Sequence, residues 1–309
     1  MAALDGLARV PAEDPVTTPG IFASFFGPDP LNLLFVVILT SLGTWGLPQM
    51  VQKFYAIDNE DSIKKGTVIS TFFAFVVAGG CYFLGGFGRL FSDQINIETG
   101  GFDSIVPTML SNLSPGLIAL VVILVLSASM STLSSLVIAS SSTLTIDLIR
   151  ENIIKDMKEK SQVLMIRVLI VFFIAISAII ALVQYKSSVT FIAQLMGISW
   201  GALAGAFLAP FLYSLYWKGT TKASCWVCFI FGSVLMIVDL LGNLGVITPV
   251  LPPIMQSPIN CGAIAMMSGL VIVPVVSLFT PKPNQQLVED AFACYHKRTQ
   301  VEQKTALGD

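Results

Sequence analysis

Ser127-Ala-Ser-Met-Ser131-Thr132-Leu-Ser-Ser135-Leu-Val-Ile-Ala-Ser-Ser-Ser-Thr-Leu-Thr-Ile-Asp147 closes an apolar run that begins near Gly116. Residues 116–146 carry no charged side chain. A run of that length spans the hydrocarbon of a bilayer as a helix, which needs about 20 apolar residues. Its hydroxyls are not spread evenly. Ala128, Ser131, Thr132 and Ser135 fall at i, i+3, i+4 and i+7, which is one helix face. Two physical reasons fit such a stripe. Small residues and hydroxyls let helices pack closely and bond to each other. Alternatively, the hydroxyls of Ser131 and Thr132 offer oxygens to a dehydrated cation.

The composition supports the membrane setting. The 309 residues are 54% hydrophobic and 12% charged, with mean hydropathy +0.80. A soluble domain carries about 25% charged residues. A net charge of −2 and the lack of any basic block argue against nucleic acid as a partner. Of the five cysteines, Cys225 and Cys228 form a CxxC. It opens an apolar helix, with no second pair and no histidine near it, so it reads as two small packing residues. The single histidine, His296, sits in a polar tail. There are no paired carboxylates, nucleophile–base pairs or phosphate-binding glycine loops, so nothing points to an enzyme or an organic cofactor. Residues 1–20 lack a basic start with an apolar core, and read as a polar loop and not a signal peptide.

Seven stretches are long enough to cross the bilayer: about 31–51, 67–88, 116–146, 163–184, 189–217, 224–245 and 262–279. The expectation is an all-α integral membrane protein of about seven transmembrane helices. Long continuous runs exclude a β-barrel. With residues 1–30 outside, fourteen Lys and Arg fall in inside loops and three, Arg9, Arg89 and Lys186, fall outside. The positive-inside rule then puts the amino terminus outside and the carboxyl terminus in the cytoplasm. Residues 58–66 read as a charged cytoplasmic turn. Residues 102–110 read as a short amphipathic helix in an outside loop, and 147–160 as a cytoplasmic continuation of the third helix.

Two further segments carry polar or broken character. The first helix contains Ser41-Leu-Gly43-Thr44-Trp45-Gly46-Leu-Pro48-Gln49. Two glycines and a proline weaken it there. Broken helices at membrane depth mark transporter binding sites, and a simple proline kink is the other reading. The fifth helix holds Gln194, Gly197, Ser199, Trp200, Gly201 and Gly205. Its glycines suit packing, and Gln194 is a candidate hydrogen-bond partner for a substrate. Asp239, in the outer half of the sixth helix, is a rare intramembrane carboxylate. Its place near the helix end suggests solvation and a structural role.

These residues resemble the sodium:solute symporters. Three stretches carry the resemblance: Trp45-Gly-Leu-Pro-Gln-Met-Val-Gln-Lys-Phe-Tyr-Ala-Ile-Asp58 with Ser62-Ile-Lys-Lys-Gly66; the serine-rich helix with its closing Thr145-Ile-Asp147; and Leu215-Tyr-Trp-Lys-Gly-Thr-Thr-Lys222. The resemblance implies a LeuT-type fold lacking its first inverted repeat. Residues 1–30 would be an extracellular loop, 31–217 the five-helix second repeat, 218–280 two peripheral helices and 281–309 a cytoplasmic tail. It implies Na⁺-coupled symport of a small organic solute (amino acid, carboxylate, vitamin or sugar) across the cell membrane by alternating access. The partners would be that solute, the lipid bilayer and the missing amino-terminal half. Carried over by position, Na⁺ falls on the Ala128 carbonyl and the Ser131 and Thr132 hydroxyls. Thr44, Trp45 and Gly46 fall at the break facing substrate. The family's sugar carriers have a tyrosine where this chain has Thr44, which counts against a sugar. The alternative is a membrane sensor or regulatory module, or a non-functional truncated remnant of the same fold. A sensor would carry a signalling domain after residue 283, where this sequence has a short polar tail.

Overall fold

The structure, a computed structural model, describes residues 20–51, 57, 59–95, 101–187, 192–248 and 250–296. The amino-terminal loop before residue 20, parts of the 58–66 and 92–114 loops and the tail beyond 296 lie outside the described residues. So do the side chains of Pro48, Gln49 and His296. The described residues form helices and turns with no strand. The helices are α1 Pro30–Leu42, α2 Glu60–Gly86, α3 Ile105–Ser111, α4 Pro115–Thr143, α5 Glu159–Ser187, α6 Ile192–Tyr216, α7 Lys222–Asn243, α8 Pro258–Phe279 and α9 Gln285–Phe292. Among the described residues six helices are long and apolar enough to cross a membrane. The chain is a multi-pass membrane protein.

Three sequence expectations change. The stretch 31–51 is not one continuous span. α1 stops at Leu42, a 3-10 turn covers Gly43–Gly46, Leu47 is extended, and one helical turn follows at Pro48–Val51. The charged segment 58–66 is mostly helix and not a turn. The Asn59 side chain accepts from Ser62 N at 2.8 Å and caps α2, so Glu60 onward is helical. The 147–160 segment does not carry the third helix through to Lys160. α4 widens into a π-helix at Leu144–Arg150, and the chain turns before α5 begins at Glu159. The short helix expected at 102–110 is present as a 3-10 turn, Phe102–Ser104, running into α3.

By contacts the chain divides into two units, one of residues 91–191 and one of residues 1–90 with 192–309. In the first, α4 packs on α5. In the second, α6, α7 and α8 pack on one another and α1 docks on α8 and α6. Gly197, Gly201 and Gly205, one turn apart on α6, set that packing. A Cβ on Gly197 would lie 3.0 Å from Ile259 N, one on Gly201 2.6 Å from Gly262 Cα, and one on Gly205 2.9 Å from Ala265 Cβ. These helices meet backbone to backbone, as small-residue faces allow in a bilayer. The expected packing role of the glycines is the observed one. Cys228 belongs to the same seam: it is buried with Ala209 and Val273, and its thiol lies 3.5 Å from Gly205 O.

Two polar devices tie α7 and α6 to α8. At the start of α7, Ser277 Oγ donates to Ser224 Oγ at 2.8 Å and Ser224 Oγ donates to Thr221 O at 2.8 Å. The Thr221 and Thr280 hydroxyls share a hydrogen bond of 2.7 Å. Further along, Pro274 stands inside α8. Proline has no N–H, so the carbonyl four residues back, Leu270 O, loses its helical donor. Tyr213 OH replaces it at 2.8 Å. Tyr213→Phe is expected to lower stability by about 1–3 kcal/mol, because it leaves a half-buried carbonyl unpaired. Thermal unfolding of the detergent-solubilised protein measures this.

Candidate functional site

The serine-rich face lies in the unit of residues 91–191. On α4 the buried positions are Val137 and Ser141, followed by Thr145 in the π-helix. At 100° per residue, the stripe of Ala128, Ser131, Thr132 and Ser135 centres about 150° around the helix from Val137 and Ser141. All four stripe residues are exposed. Within this unit no described helix covers the stripe, so α5 does not supply the close-packing explanation for it.

Most of these hydroxyls bond back to their own helix. Thr132 Oγ1 donates to Ala128 O at 3.1 Å. Ser135 Oγ donates to Thr132 O at 2.8 Å, and Ser134 Oγ to Met130 O at 2.8 Å. Ser131 makes no hydrogen bond to a described residue. A hydroxyl that donates its proton back to its own helix still presents two lone pairs outward. Ala128 O, Ser131 Oγ and Thr132 Oγ1 therefore form a local group of hard oxygens on one turn, with no charge within the run. Such a group suits a hard cation held weakly.

The second group lies in the other unit. Thr44, Trp45 and Gly46 occupy the 3-10 turn after α1. Thr44 Oγ1 donates to Ser41 O at 3.1 Å, and Trp45 is 58% exposed. Gly46 has a different role. A Cβ there would stand 2.8 Å from Ala204 Cα and 2.9 Å from Leu208 Cβ. Its missing side chain is what lets the broken segment dock against α6. Leu39 and Leu47, on either side of the turn, are buried, and Leu39 joins Ala204, Leu208, Ala263 and Met266 in a buried cluster. Gln194 is half-buried and makes no hydrogen bond to a described residue. It precedes Ala204 by ten residues, which is about 15 Å along α6. The structure does not bring it beside Thr44–Gly46.

No group of three or more His, Cys, Asp or Glu side chains able to hold a metal occurs among the described residues. Residues 16–232 match the model of the sodium:solute symporter family. The chain belongs to this family. It is 28% identical to the sodium/proline symporter of Staphylococcus aureus over 68% of this chain and 43% of that protein. It is 25% identical to the high-affinity proline transporter PutP of Bacillus subtilis over 75% of this chain and 48% of that one, and 25% identical to the Escherichia coli K12 sodium/proline symporter over 67% and 42%. These relatives are transporters and not enzymes. The chain spans about half the length of the curated relatives it matches. No solved structure matches.

One residue singled out in the sequence has different surroundings from those expected. Asp239 was expected to be solvated near its helix end, and it is 2% exposed instead. The loop before α8 covers it, a long-range effect that local hydropathy does not register. The available signal was Asn243, four residues on and so on the same helix face.

Proposed function

We propose that this chain forms the second inverted repeat of a LeuT-type core with two peripheral helices, and that the assembled protein couples Na⁺ entry to uptake of a small organic solute. The exposed oxygen stripe of α4, one-sided by its spacing, carries the reading. Family membership agrees with it. In this account Ala128 O, Ser131 Oγ and Thr132 Oγ1 are half of a Na⁺ site. The other half comes from the first repeat, which lies outside this chain. Thr44 and Trp45 line the substrate path at the α1 break, and Gly46 seats that break on α6. Gln194 contacts solute from a separate position along α6.

The amino terminus is extracellular, the carboxyl terminus cytoplasmic, and the protein sits in the cell membrane. Na⁺ binding between the repeats favours the outward-open state, solute binding permits closure, and rocking of one bundle against the other releases both inside. Na⁺ drives solute only through its different affinity for the two states. Proline is the first solute to test, because the named relatives are proline transporters. Uptake of labelled proline is measured in transport-deficient cells expressing the chain alone and with a first-repeat half supplied. The expected result is no uptake alone and Na⁺-dependent uptake of a small solute with the added half. Uptake by the chain alone, or uptake by the pair without Na⁺ dependence, contradicts the reading.

A further inference from the structure

A second polar site lies at the Asn243 end of α7. Asp239 is buried there at 2% exposure. Asn243 Nδ2 donates to Asp239 Oδ1 at 3.0 Å and to the Asp239 carbonyl at 2.9 Å. The other carboxylate oxygen, Oδ2, has no hydrogen-bond partner among the described residues. Asp239 lines a cavity of about 150 Å³ with Val238, Gly242, Asn243, Leu251 and Gln256 among its walls. Beside it lies the buried cluster of Met236, Cys261 and Ala265, with Leu251 and Met255 packed against it. An unpaired oxygen of a buried carboxylate in such surroundings is costly unless something compensates its charge.

The donors and acceptors around the cavity are unbalanced. Gln256 Nε2 donates to Leu251 O at 3.3 Å. Asn243 Nδ2 also reaches Gln256 O at 3.4 Å. Both side-chain amides thus direct their N–H groups at protein oxygens. The carbonyl oxygens of both amides make no hydrogen bond to a described residue. What remains unpaired around the cavity is acceptors: the neutral amide carbonyl oxygens and Asp239 Oδ2, the last buried at its edge. No lysine or arginine lines the cavity. A cationic occupant meets these acceptors and also compensates the carboxylate charge. One carboxylate with neutral oxygens balances one positive charge, whereas divalent ions are held by several carboxylates or phosphates. The cavity has room for a small ion with part of its hydration shell.

We propose that this cavity is a binding site for one monovalent alkali cation, with the Asp239 carboxylate as its anionic ligand and Gln256 at its exposed mouth contributing a neutral oxygen. The site lies on α7 and the loop before α8, outside the helix that carries Ser131 and Thr132. It does not depend on the α4 reading.

The test uses the purified chain in detergent, carrying Ser131→Ala and Thr132→Ala so that the α4 oxygens are silent. Thermal unfolding is followed as Na⁺ replaces N-methyl-D-glucamine at constant ionic strength. A saturable rise in Tm with Na⁺ is expected, since a ligand that binds the folded state alone stabilises it. Adding Asp239→Asn, which keeps the shape and removes the charge, is expected to abolish that rise. Gln256→Ala is expected to weaken Na⁺ binding roughly fivefold or more, read by ²²Na⁺ binding. An undiminished Na⁺ response in Asp239→Asn overturns the proposal, as does the absence of any response in the Ser131→Ala, Thr132→Ala background. Should Asp239→Asn fail to fold, Gln256→Ala decides, and unchanged ²²Na⁺ affinity in that variant overturns the proposal.

Discussion

Ser131→Ala and Thr132→Ala, each made in the assembled transporter, are expected to raise the Na⁺ concentration for half-maximal uptake by roughly 10- to 100-fold. That is the range for losing one hydrogen-bond-strength interaction with a charged partner. Each change removes one oxygen from a group of three on the exposed face of α4. Nothing else charged in residues 116–146 can replace it. Because the site is expected on a helix surface that α5 does not cover, the loss should appear in Na⁺ affinity and not in folding. Two companions sharpen the result. Thr132→Ser keeps the oxygen and should stay within about threefold of the parent. Ser135→Ala removes a hydroxyl that donates to Thr132 O without being assigned to the ion, and should also change affinity by less than about threefold. The measurement is initial-rate uptake against Na⁺ concentration at fixed solute.

Gly201→Leu is expected to prevent stable folding of the α6–α7–α8 packing. A Cβ at Gly201 would stand 2.6 Å from Gly262 Cα and 2.9 Å from Met236 Cε. Met236 could shift its flexible end, but Gly262 meets Gly201 through backbone. The contact is reciprocal, since a Cβ on Gly262 would lie 2.8 Å from Gly201 Cα. One turn along α6, a Cβ on Gly232 of α7 would lie 2.6 Å from the backbone of Gly205. Overpacking a core costs about 1–3 kcal/mol where neighbours can move. Here the helices themselves must separate, so the cost should be roughly 3 kcal/mol or more. That is a large share of a total stability of about 5–15 kcal/mol. The amount of monodisperse protein after extraction and its Tm report the effect. Gly79→Ala and Gly80→Ala on α2 are the controls. A Cβ at either position meets nothing within 4 Å, so both variants should extract and unfold like the parent.

The features legible in the sequence are those with a local cause. The long apolar runs of α4 to α8 follow from hydropathy, and the oxygen stripe from spacing at i, i+3, i+4 and i+7. The interruption of the first stretch follows from Gly43, Gly46 and Pro48. Other features depend on contacts that spacing does not encode. The start of α2 at Glu60 rests on the Asn59 cap, and a charged first turn resembles a loop when read alone. The true extent of α1 depends on how the break at Gly46 docks on Ala204 and Leu208. Asp239 sits near its helix end in sequence, yet it is buried because residues from Val250 to Gln256 fold back over it. The 3.6-residue period shows that the α4 oxygens share a face. Only the structure shows that this face is left exposed, as are most residues from 119 to 136 around it.

The oxygen face of α4 as a Na⁺ site is the centre of the account, and protection of a reporter thiol tests it most directly. Ser131→Cys is introduced into a variant whose five native cysteines are replaced, in the transporter assembled with its first repeat. Its rate of modification by a small methanethiosulfonate is then compared in Na⁺ and in choline. The account predicts that Na⁺ slows the reaction several-fold and saturably, with a midpoint matching Na⁺ activation of uptake by the same variant. An equal rate in Na⁺ and choline, in a variant that still takes up solute with unaltered Na⁺ dependence, would contradict it.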